Sequence, residues 1–276
     1  MIAATPVAPA RFFVHPIRSA FAAMPRTDFN SSRLVRLLAA QQLLPGDAAG
    51  PAFAERLGDW LNVADAMRLY AAHNQVEPAA DTSAVVMLTP AAVLADFDRD
   101  CTGLEAAIVR ACTPGAPGRI RLPMPDAELP REVAADYEPY RRFHLAQQRV
   151  METAIAPLRA RLRSALANCG PELAKLATLD ANFDDILAGR ELRLLAAVPA
   201  LLEKRFVQLR DAHFQAFAAS GQADAADDVA TWLQPQGWLT RYIQLLQAAL
   251  LAELELRLQP AAGLAAALRT EVSPPQ

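Results

Sequence analysis

The sequence predicts an all-α fold, and three observations carry that expectation. Alanine (59) and leucine (38) dominate the 276 residues, and both favour helices. Glycine, valine, isoleucine, threonine and tyrosine, which would supply strands and their turns, are sparse. After Tyr137, apolar residues recur at helical spacing over long stretches. A chain that is 53% hydrophobic and 21% charged has enough apolar surface for a real core, which excludes disorder throughout.

The expected organisation is a disordered leader over 1–25, an N-terminal helical region over 26–112, a Pro-rich linker over 113–136, an elongated antiparallel long-helix bundle over 137–260, and a tail over 261–276. The leader ends in small residues like a secretion signal. Arg11 and Arg18 nevertheless sit inside its apolar part, and Pro6, Pro9 and Pro16 break any helix there. Met24 is an alternative start to Met1. Asn30 or Ser31 is placed to cap a helix running to Leu44, stopped by Pro45-Gly46. A second helix fits 52–74, with Phe53, Leu57, Trp60, Leu61, Ala64 and Met67 on one face. Residues 76–83 read as a loop. Thr89-Pro90 is an N-cap followed by a proline at the first helical position, opening a helix to about Ala111. From Thr113 to Ala134 five prolines and two glycines are incompatible with an element interior.

The bundle begins with a helix from about Tyr137 to Ala167, whose stripe comprises Phe143, Gln147, Val150, Met151, Ala154, Leu158, Leu162, Ala165 and Leu166. Gly170-Pro171 closes it and opens the next. A second stripe includes Leu173, Leu176, Phe183, Leu187, Leu194, Val198, Leu202, Phe206, Leu209, His213 and Ala216, and it passes through Gly189 and Pro199 as bends or abutting helices. After a polar loop at 220–225, the QPQG breaker at 234–237 precedes a last helix from Trp238 to Leu258, with Leu239, Ile243, Leu246, Leu250 and Leu254 inward and Pro260 as its stop. The tail is expected to be loose beyond Arg269.

Composition also narrows the functional classes. With 27 basic and 30 acidic residues the net charge is −3, too little positive field for a dedicated nucleic-acid binder. The longest uncharged stretch after the leader, Thr82 to Ala95, is about 14 residues and contains Pro90, short of the ~20 that span a bilayer. Three cysteines without CxxC spacing point to a reducing, cytoplasmic compartment rather than a disulfide framework.

The sharpest local motif is DFDRDCT, 96–102. As a calcium loop it lacks the glycine at position 6 and the acid at position 12, where Cys101 and Ala107 stand. Asp98-x-Asp100-x-Thr102 resembles the nucleophile motif of haloacid-dehalogenase-type phosphatases. That chemistry needs the run to leave a strand of a parallel sheet, and no βαβ alternation surrounds it. The expected reading is an acidic helix face. Histidines 15, 73, 144 and 213 form no HExxH, ExxH or HxxxH pattern, so no metal or other cofactor is expected. His213, on the apolar stripe, reads as a core histidine. His144, flanked by Arg141, Arg142, Gln147 and Gln148, is the better ligand-site candidate, with Arg141 and Gln148 as its companions. Arg159 and Arg163 share one face. They read as a solvated face, with docking of an acidic partner as the functional alternative. Asp180 and Asp184 stand one turn apart without the further carboxylates of a di-metal centre.

Three segments, YRRFHLAQQR (140–149), LLAAVPALLEKRFVQLR (194–210) and LLAELELRLQPAAGL (250–264), together with SSRLVRLLA (31–39), resemble a bacterial family of all-helical proteins of unknown function. The resemblance spans most of 26–265. It implies a setting beside genes for a MotA/TolQ/ExbB-like proton-channel subunit and an OmpA-like cell-wall-binding protein, and it carries over no functional residues. The expected function is therefore a non-enzymatic helical accessory protein with protein partners, a cytoplasmic companion of an envelope complex. The alternative is a ligand-binding regulator or enzyme with a helical pocket near His144. Homo-oligomerisation through the broad apolar side of 238–258 is a further expectation.

Overall fold

The computed structural model describes residues 32–44, 63–74, 89–219 and 228–272. The leader with Met24, the Asn30 and Ser31 caps, the Pro45-Gly46 stop, the first half of the 52–74 helix, the 76–83 loop and the 220–225 loop lie outside those residues. The regular secondary structure of the described residues is all helical, with no strand among them.

The helices are α1 (Arg33–Ala40), α2 (Val63–Asn74), α3 (Pro90–Ala111), α4 (Arg131–Ala134), α5 (Glu138–Ala167), α6 (Pro171–Leu195), α7 (Val198–Ala219), α8 (Val229–Trp232) and α9 (Trp238–Val272). Local chemistry explains most ends. Ser32, rather than Asn30 or Ser31, caps α1 by accepting the Val35 amide at 3.2 Å. The helix stops earlier than Leu44 because Gln42 adopts φ 57°. The Leu43 amide then reaches Leu38 O at 3.0 Å and the Gln42 amide reaches Ala39 O at 2.9 Å, and Leu43 is buried beside them. Thr89 caps α3 through the Ala92 amide at 3.3 Å, ahead of Pro90, as the sequence predicts. Gly170, at φ 145°, makes the reversal between α5 and α6. At Gly237 a Cβ would lie 2.1 Å from the Trp232 carbonyl oxygen, so only glycine fits where the α8–α9 turn folds back on itself.

Three stripes need correction. On α5, Val150 is exposed and Ile155 is buried in addition to the expected residues. On α6, Leu194 is 61% exposed, whereas Leu195 faces the core. The reason is a break at Ala196-Ala197 that starts α7 in a new phase. On α2, Ala64 and Met67 are exposed rather than inward.

The largest departure concerns the C-terminal end. Pro260 does not terminate the last helix: α9 runs 35 residues to Val272, about 50 Å at the helical rise. Ala261, Ala262, Leu264, Ala265 and Leu268 are buried, so this stretch is core rather than tail. Proline lacks an amide donor and crowds the preceding turn, yet packing on several sides holds the helix together through it. α9 is the axis of the molecule, touching α1, α3, α5, α6, α7 and α8. Its broad apolar side is taken up by these neighbours.

Paired residues give the directions. Tyr140 meets Tyr242 and Gln148 meets Glu253, so α5 and α9 run parallel. Gln148 meets Leu195 and Arg159 meets Asp180, so α6 returns antiparallel to α5. Phe206 meets Tyr242 and His213 meets Trp238, so α7 is antiparallel to α9. α3 joins the same core, with Val93, Leu94, Phe97, Cys101 and Ile108 buried. At one end Tyr137, Tyr140, Phe206, Trp238 and Tyr242 pack in tilted and edge-on ring contacts at 4.9–6.2 Å.

The acidic run 96–102 lies wholly within α3. A continuous helix provides neither the looped backbone of a calcium site nor the strand end of a phosphatase nucleophile. Its carboxylates instead tie helices together: Asp98 accepts from Arg269 and Asp100 from Arg161, each at 2.6 Å. No described helix is long and apolar enough to cross a membrane.

Candidate functional site

A polar seam runs through the middle of the bundle where α5, α6 and α9 meet. Its buried end is built by Glu253, which lies in phase with the inward Leu246 and Leu250 and is fully buried. One of its carboxylate oxygens lies 2.5 Å from His144 Nε2, and the other accepts from Gln148 Nε2 at 2.7 Å. Gln148 also donates to the Leu195 carbonyl at 3.0 Å, in the last turn of α6, so one amide joins three helices. His144 and Gln148 are brought together one turn apart, as expected, but with their faces closed against Glu253. Arg141 is not part of this group. It is exposed and pairs with Glu138 one turn back at 3.3 Å.

One turn after Glu253, Arg257 is also in the interior, its side chain 7% exposed. Its guanidinium makes a single contact among the described residues, Nη1 to Glu191 at 3.5 Å, and Nε has no hydrogen-bond partner. Burial pushes the Glu191 carboxyl above the usual carboxylate range, with Arg257 and then Arg159 pulling the other way.

Beyond Glu191 the seam opens into a cleft of about 390 Å³ between α5 and α6, with Arg257 of α9 at its inner wall. Arg159 also lines the cleft, and both Arg159 and Arg163 are held against α6. Arg159 holds both Asp180 carboxylate oxygens, at 2.6 and 2.8 Å, and Asp184 at 2.7 Å. Arg163 reaches Asp184 at 3.2 Å. Burial lowers the Arg159 pKa, but the hydrogen bonds it donates to Asp180 and the charges of Asp180 and Asp184 outweigh it and leave the group more firmly protonated than usual. Both guanidiniums are thus paired with carboxylates of the same chain. Asp180 and Asp184 are the acceptors of that pairing, and no group of metal-ligating side chains occurs among the described residues.

Cys101 and Cys112 are buried, and burial pushes both thiols up to about 12. Tyr137 is raised to about 12 by burial and donates to the Pro199 carbonyl at 2.6 Å. His213 is half-buried between Trp232, Trp238 and Phe214, at the edge of the core rather than inside it.

Sequence reasoning found His144 and Gln148 but missed Glu253, Arg257 and Glu191. The signal was present: LLAELELRL puts Glu253 and Arg257 four apart and in register with the inward leucines. A charge on an apolar stripe needs a buried partner: for Glu253 the partners lie more than a hundred residues away on α5, and for Arg257 the partner lies 66 residues away on α6.

No curated protein and no solved structure matches the chain. A family described as a protein of unknown function (DUF3348) matches residues 21–270, which takes in every helix of the seam and its cleft. The chain belongs to this family.

Proposed function

We propose that this protein is a non-enzymatic helical accessory protein that acts by binding protein partners. The observation that carries the reading is the exposed apolar face of α2, where Val63 is 74% and Met67 is 67% exposed four residues apart. A surface of that kind marks a contact site when it is continuous along a helix. A second line of support is that several buried or half-buried titratable groups of the bundle serve each other: His144 faces Glu253, and Arg159 and Arg163 face Asp180 and Asp184. A reaction centre needs such groups presented to substrate.

The partner belongs to the same proposal. It is a membrane-anchored envelope assembly of the proton-channel type, met from the cytoplasmic side of a bacterial cell. Support comes from the resemblance of the three bundle segments to a bacterial family of all-helical proteins. A photo-crosslinking residue at position 67, followed by mass spectrometry from native membranes, tests it. Recovery of an envelope protein from position 67 but not from exposed position 185 is the expected result. Purification from native membranes that recovers no envelope protein removes the reading.

A further inference from the structure

The cleft between α5 and α6 has features that the partner reading does not use. Its inner wall carries Arg257, more than nine-tenths buried, with one long contact and an unpartnered Nε. A guanidinium has five donors arranged to grip a carboxylate, and burial with so few acceptors is costly. Its ion-pair partner, Glu191, is only partly buried, with a carboxyl pKa raised chiefly by desolvation. At the mouth, Glu152 and Asp185 are exposed carboxylates with no ion pair to a cation among the described residues. The lining also includes the apolar side chains of Ile155, Ala156, Ala188 and Leu192.

We propose that this cleft binds a small zwitterion, an amino-carboxylate whose carboxylate pairs with Arg257 and whose ammonium lies at Glu152 and Asp185, with a short alkyl segment against Ile155 and Leu192. The charge pattern selects this class. A simple anion would reach Arg257 past an excess of carboxylates, and a simple cation would leave Arg257 as poorly paired as before. Arg159 does not compete, because Asp180 and Asp184 already hold it. The volume, about 390 Å³, is at the small end of ligand sites, which limits the occupant to a compact molecule. The site stands apart from the α2 surface, so either proposal can fail without the other.

Calorimetric titration of the full chain with γ-aminobutyrate and ε-aminocaproate, against caproate and hexylamine as single-charge controls, tests the assignment. The expected result is saturable binding of at least one amino-carboxylate, at least tenfold tighter than both controls. Arg257→Met should weaken it at least tenfold. No binding of either probe at about 10 mM, or a control that binds as tightly, overturns the proposal. Should Arg257→Met fail to fold, the Glu152→Gln/Asp185→Asn variant alters only exposed side chains. It should keep the melting temperature of the free protein and lose at least tenfold in affinity, and unchanged affinity in that variant overturns the proposal as well.

Discussion

Glu253 places a carboxylate where no water reaches, and its cost is offset by two partners, His144 and Gln148. Removing one member of such a group leaves the others buried and unsatisfied, so Glu253→Ala should destabilise the protein by about 3–5 kcal/mol. Replacing both sides, His144→Leu with Glu253→Leu, should cost less than the sum of the single changes, because an apolar pair leaves no orphaned polar atom. Urea unfolding of the three variants measures this, and strict additivity would show that the two side chains do not support one another. The buried thiols make a second residue-scale statement. In the unfolded chain Cys101 and Cys112 lose their protons near pH 9, whereas the native thiols hold them to about 12. Between those values the unfolded state binds fewer protons, so stability falls as pH rises. The contribution is whole below pH 9 and is lost through the interval 9–12. A melting-temperature series across pH 8–11 should therefore slope downward, with a shallower slope in a Cys101→Ala/Cys112→Ala variant; Tyr137, also held up to about 12, keeps part of the slope.

Among the elements, the α5–α6 hairpin shows how far pattern reading extends. Its turn was legible because Gly170-Pro171 is a local signal: glycine takes the left-handed backbone and proline opens the next helix. Its apolar stripes were legible in the main, since Phe143, Met151, Leu158, Leu162 and Leu166 are buried as spacing demands. Its charged face was not. Periodicity reports which residues share a face but not what lies opposite, and Arg159 faces carboxylates twenty-one and twenty-five residues away on α6. The pair formed with Asp180 is bidentate, and the two side chains are only 13% and 11% exposed, so solvent screens it weakly. A double-mutant cycle on Arg159→Ala and Asp180→Ala should yield a coupling of about 1–2 kcal/mol, with Asp184→Ala weaker because that residue is more exposed. A coupling near zero would return Arg159 to the solvated face that the sequence suggests, where surface ion pairs contribute little.

On the scale of the whole molecule, the question is what organises the helices. Sequence pattern places a bundle after Tyr137 and assigns 261–276 to a tail, because Pro260 is the strongest local stop in the segment. The stop is overridden by position: a helix at the axis is packed on several sides, and the burial it gains outweighs one missing hydrogen bond and the strain at the proline. The same position explains why α9 is apolar over so broad an arc, which a helix on the surface of a bundle has no need to be. The last twelve residues of α9 also tie the N-terminal helices to the bundle, since α3 packs on α9 and Arg269 binds Asp98 at 2.6 Å. Leu268, fully buried, is the sensitive probe. Leu268→Ala removes a buried side chain and leaves a cavity, at a cost of about 3 kcal/mol, and its effect should appear in a single cooperative urea transition. In a loose tail the same substitution would fall within about 0.5 kcal/mol of the parent. A chain ending at Gln259 carries the test further, because it removes Leu264, Ala265 and Leu268 together with the Arg269 bond. If α9 is the axis on which the N-terminal helices rest, that chain loses the protection of α3 amides against hydrogen exchange along with its stability. Full protection of α3 in the shortened chain would instead mean that α5 alone is enough to hold it.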